Sequence, residues 1–118
     1  MDAAGFQRGL DLFNRGEFFE AHEVLEDVWR AAPEQERKFL QGLIQVAVAL
    51  HHHSQGNIVG ARSVLARARK NLACYPGKFA GVYLAELCAA LAECQTALDN
   101  GSSPPTVQVR SDRLTPDA

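Results

Sequence analysis

A histidine and a glutamate stand four residues apart at His22 and Glu26, with Glu23 between them and Trp29 just beyond, in the run Phe18-Phe19-Glu20-Ala21-His22-Glu23-Val24-Leu25-Glu26-Asp27-Val28-Trp29. Each helical residue advances about 100°, so His22, Glu26 and Trp29 fall within about 60° of one another, along one edge of an apolar face. A His-Glu-x-x-His helix holds zinc because two imidazoles four apart converge on one ion while the intervening glutamate reaches the bound water. Here Glu26 replaces the second histidine. A carboxylate still ligates zinc, manganese or iron, so His22 and Glu26 form a two-ligand unit for a divalent transition metal. Glu23, one residue round toward solvent, is the candidate base. A stable site requires a third ligand.

The next helix offers one. Gln41, Gln45 and His52 fall near one line on it, opposite Phe39, Leu43, Ala47 and Leu50. A short connection through Pro33 would make the two helices antiparallel neighbours and set the level of His22 opposite residues 46–49, within reach of Gln45 or His52. The expected site is therefore His22, Glu26 and His52 as ligands, with Gln41, Gln45 and Trp29 binding or orienting a small-molecule substrate. The bland alternative stays open: a histidine at the edge of an apolar face often only hydrogen-bonds a neighbour, and Trp29 suits a core anchor as well as a stacking platform. Neighbours in the tract His51-His52-His53 point about 100° apart, so at most one joins any single site.

The helices that must position these groups are written in the apolar spacing. Phe6, Leu10 and Phe13 make a stripe that Gly16 ends, giving a helix over about 3–15. Further helices are expected over about 17–32, 34–55, 57–74 and 79–100, with Pro33 and Pro76-Gly77 as breaks. Gly16, Ala21, Leu25 and Val28 are matched 40 positions later by Gly56, Ala61, Leu65 and Ala68. This pattern resembles the tetratricopeptide helical hairpin, with Gly9, Leu12, Ala21, Leu25 and Pro33 at its expected positions. The fold expected is all-α: an antiparallel array of about five helices, two such hairpins and a capping helix, over residues 1–100. Residues 101–118, opening on Ser102-Ser103-Pro104-Pro105, read as a loosely held polar tail.

Composition bounds the remaining choices. The 118 residues are 47% hydrophobic, enough for one self-sufficient core. Cys74, Cys88 and Cys94 form an odd set without a Cys-x-x-Cys pair, which fits buried thiols in a reducing compartment, so a cytoplasmic location is expected. The most apolar run, Leu43 to Leu50, is far short of the roughly 20 residues of a membrane span. The net charge of −2 hides an asymmetry: from Asp11 to Glu36 eight acids face two arginines, whereas Arg37 to Lys78 holds seven cations and no acid. Such blocks could bind an anion or nucleic acid through the basic half, and could equally attract each other within the fold or between subunits; solvated, mutually complementary faces and a homo-oligomer are expected ahead of a nucleic-acid surface on 37–78.

Phe18-x-x-Ala21-His22-Glu23-x-Leu25-Glu26-x-x-Trp29, then Phe39-Leu40-Gln41-Gly42-Leu43-Ile44-Gln45-x-Ala47 and Gly56-Asn57-x-x-Gly60-Ala61, resembles the bacterial and archaeal family catalogued as domain of unknown function 309. The resemblance covers about residues 6–75. It implies a small helical bundle without an established activity, which carries a label of metal-dependent hydrolase given from sequence alone. Two function classes follow: a metal-dependent hydrolase centred on His22 and Glu26, or a non-enzymatic, tetratricopeptide-like interaction or scaffold domain.

Overall fold

Two glycines with left-handed backbones punctuate the chain, Gly16 at φ +82° and Gly56 at φ +79°. Each closes a helix with the same bonds: Gly16 N–H donates to Phe13 O and Glu17 N–H to Leu12 O, and 40 residues on Gly56 N–H donates to His53 O and Asn57 N–H to His52 O. A β-carbon is disfavoured at this φ, so glycine is the residue that lets the chain reverse within three positions. The 40-residue sequence repeat is thus a repeat of turn chemistry.

The computed structural model describes residues 1–112. Five helices run as α1 (Ala3–Asn14), α2 (Phe18–Arg30), α3 (Glu34–Ser54), α4 (Ile58–Leu72) and α5 (Leu84–Asp99). The all-α fold expected from the sequence is present. Each helix packs chiefly on its neighbours in sequence, α1 on α2, α2 on α3, α3 on α4 and α4 on α5. Connections of three residues before α2, α3 and α4 force each helix to run back along the last.

Close approach within each pair depends on a glycine facing a leucine. A β-carbon on Gly9 of α1 would lie 2.5 Å from Leu25 Cδ2 of α2, and one on Gly42 of α3 would lie 2.6 Å from Leu72 Cδ2 of α4. The second contact is not the repeat image of the first. It sits seven residues back on one helix and seven on along the other, two turns along the same kind of seam. Leu25 and Leu72 are both fully buried, as are Ala21, Ala61, Leu65 and Ala68. At the far end, Phe39 packs edge-on against Tyr75 and Phe79. The Tyr75 hydroxyl accepts from Phe39 N–H and donates to Gln35 O, which ties the loop after α4 to the first turns of α3.

Two expectations change. The fifth helix begins at Leu84 rather than near Phe79, because Phe79 and Val82 exchange backbone hydrogen bonds around Ala80 (φ +51°) and Gly81 (φ +78°), and this tight turn cannot be helical. The tail expected to be loosely held over 101–118 is, through residues 107–112, docked instead. Val107 and Val109 are buried, and the Asn14 side chain both accepts from Val109 N–H at 2.8 Å and donates to Val109 O at 3.0 Å. Val82 pairs with Ser111, Tyr83 N–H donates to Arg110 O, and Arg110 forks onto Glu86. Residues 113–118 of that expectation lie outside the described residues.

Candidate functional site

Helix α2 carries His22 and Glu26 on one edge, as their spacing requires, but the two side chains take different partners. His22 Nδ1 bonds Phe19 O at 2.8 Å, back within its own helix, and its ring rests 5.2 Å from the Phe19 ring. Glu26 pairs with Arg30 at 3.6 Å, and Arg30 also holds Asp27. Glu23 is exposed on the solvent side. The edge is a half-exposed strip satisfied by local contacts.

The third and fourth members of the expected cluster face elsewhere. Gln45 accepts from Asn71 Nδ2 at 2.7 Å, so it bridges α3 to α4 and not to α2. Gln41 is exposed. The His52 ring lies by Asn57 Nδ2 at 3.4 Å, in the turn before α4, while the imidazole that reaches α2 belongs to His51, tilted against Phe19 with ring centroids 5.4 Å apart. Phe19 therefore sits between two imidazoles and is still 51% exposed. Trp29 is a packing residue under the Arg37 guanidinium, 4.2 Å from its centroid, with its indole N–H buried and without an acceptor among the described residues. The expected ligand set of His22, Glu26 and His52 is thus not brought together. Among the described residues no three His, Cys, Asp or Glu side chains gather in an arrangement that could hold a metal ion.

A concavity lies on α4 and α5 instead. An open groove of about 1160 Å³ runs between α4 and α5, from Val59 at the start of α4 to Tyr75 and Pro76 in the loop beyond it. Its walls include the exposed Ala66, Ala73 and Ala85 and the half-buried Cys88. Arg62, Arg67, Arg69 and Lys70 line it as well. Arg62 is neutralised by Asp99 at 3.1 Å, whereas Arg67, Arg69 and Lys70 have no carboxylate within ion-pair distance among the described residues. Burial pushes the Cys88 thiol above its usual range, with Arg69 pulling partly against it, a direction that disfavours the thiolate. An apolar trough with a cationic rim suits binding more than bond cleavage.

Sequence reasoning passed over this groove, although its signal was the acid-free run from Arg37 to Lys78. That run supplies all the cations of the rim, and α5 supplies the other wall. No helix of the described residues is long and apolar enough to cross a membrane.

The comparisons with known proteins fit a shared domain of unassigned role. An uncharacterized protein of Aquifex aeolicus (strain VF5) is 37% identical over 93 residues, which is 78% of this chain and 28% of that protein. The uncharacterized protein YpuF of Bacillus subtilis (strain 168) is 43% identical over 53 residues, 44% of this chain and 30% of YpuF. The chain spans less than a third of either relative. A family model described as a domain of unknown function, DUF309, matches residues 6–64, and with most of α1, all of α2 and α3 and the first half of α4 inside that match the chain belongs to this family.

Proposed function

We propose that this chain is a non-enzymatic helical interaction domain whose working surface is the groove between α4 and α5. One observation carries the reading: the concavity with an apolar floor and unneutralised cations lies on α4 and α5, while the side chains that a hydrolytic centre would need are divided among separate partners on α2, α3 and α4. Tetratricopeptide-like hairpins would serve such a role, since arrays of sequentially packed helices present extended surfaces for other proteins. The 40-residue recurrence of turn bonding supports that comparison.

The test is elemental analysis of protein purified without a histidine tag, beside a His22→Ala/Glu26→Ala variant. The interaction-domain reading expects no stoichiometric zinc, manganese or iron in either, and the same helical melt within about 1 kcal/mol, because only exposed local bonds are lost. One equivalent of metal that disappears in the folded variant would replace this reading with the metal-dependent hydrolase.

A further inference from the structure

Resting on the interaction-domain reading, we infer that the occupant of the α4–α5 groove is a second copy of this chain, which inserts Phe19 at the start of its α2 with Glu20 and Glu23 beside it. Large apolar side chains are exposed at three described positions, Phe19, Ile58 and Val59. Phe19 is held outward between the His22 and His51 rings at 5.2 and 5.4 Å, a preset plug of one aromatic ring. Glu20 and Glu23 flank it, both exposed and neither within ion-pair distance of a cation among the described residues.

The groove carries the complement. Val59 is 78% exposed at its mouth, Ala66 and Ala85 leave room for a ring, and Arg67, Arg69 and Lys70 lack carboxylate partners. Two free carboxylates around an aromatic plug thus meet three free cations around an apolar trough. A nucleic acid would match the cations but leave the aliphatic floor uncovered. Helix α2 packs on α1 and α3, whereas the groove belongs to α4 and α5, so plug and groove of one copy are held apart and each must meet another copy. Two different patches meeting in this way make a head-to-tail contact, which grows into a ring or a chain.

Sedimentation velocity of the untagged protein over a concentration series tests this. The expected result is a mass that rises with concentration at low salt and falls back to the monomer at high salt, since exposed charges are screened. Arg67→Glu/Lys70→Glu and Glu20→Lys/Glu23→Lys, all at exposed positions, should each weaken association by roughly tenfold or more. Mixed one to one they should restore it, because each supplies the charge the other lost. Phe19→Ala and Ala85→Trp should abolish it with every charge intact, circular dichroism showing the helices unchanged. A monomer at all concentrations, association that survives in the charge-reversed groove, or a mixture that stays monomeric overturns the second-copy occupant. So does a monomer whose groove instead binds a single-stranded oligonucleotide or an acidic amphipathic peptide. These outcomes leave the metal analysis above to decide the interaction-domain reading on its own.

Discussion

The α2 edge and the α4–α5 groove are built from opposite materials. The edge has the residue types of chemistry, His22, Glu23 and Glu26, but they are spent on Phe19 O, solvent and Arg30. The groove has alanines, a valine and cations, types that attract no notice one at a time, yet two helices set them around a volume of about 1160 Å³. Residue type says what a side chain is able to do. Placement on a second element decides whether it has anything to do it with.

The contrast is broken most severely by filling the groove. Ala85→Trp is expected to abolish self-association, read by sedimentation, while Glu26→Ala, at the other end of the α2 edge from the Phe19 plug, leaves it intact; the reverse pattern would move the working surface from the groove to the Glu26 end of that edge. Next in size is the seam beneath the groove. Gly42→Ala drives a methyl group against Leu72, whose burial forms part of the groove wall, and overpacking of this kind costs about 1–3 kcal/mol. Better helix propensity returns about 1 kcal/mol, so chemical denaturation should show a net loss of up to about 2 kcal/mol, with Gly9→Ala similar through Leu25.

A smaller effect separates the two copies of the repeat. Asn57 caps α4 by accepting from Gly60 N–H at 2.9 Å, whereas Glu17 in the corresponding place makes no side-chain cap. Asn57→Ala should cost about 1 kcal/mol and Glu17→Ala close to nothing in the same denaturation measurement.

The least stability effect is expected at the docked strap, where pH is the probe. Hydrogen bonds from Lys78 and Tyr83 hold the Asp112 carboxyl below its ordinary range, and Arg110 does the same for Glu86. Depressed carboxyls contribute above their unfolded pKa and lose that contribution as pH falls through the lowered folded value. At the basic end Lys78 is raised, chiefly by its bond to Asp112, so its contribution is lost as pH climbs through that raised value. The groups are exposed and the effect is local. Protection against amide exchange at Tyr83 and Asp112, whose N–H groups bond Arg110 O and Gly81 O, taken relative to the intrinsic rate at each pH, should fall on acidification before the helices melt, and unchanged protection would remove these pairs from the strap.

How much of this was legible in the sequence follows from what each feature depends on. Gly16 and Gly56 end helices through a local backbone requirement, so the first four elements could be placed from neighbouring residues alone. The start of α5 could not, because Val82 is held by Ser111, far along the chain, in a segment whose alternating Val107 and Val109 are hidden among polar residues. The shared edge of His22 and Glu26 was correct as helical geometry. What they face was not, because one step of rotation puts His51 rather than His52 against α2 and sends Gln45 to Asn71 on α4. The charge asymmetry was visible as a count, but its placement around a trough needed α5, which contributes the opposite wall.

Hydrogen–deuterium exchange compared between dilute and concentrated protein at low salt reads the working surface most directly. The account predicts that concentration slows exchange together in two places, the start of α2 around Phe19 to Glu23 and the facing walls of α4 and α5. Slowing confined to residues around Gln41, Gln45 and His52, or none at any concentration, would contradict it.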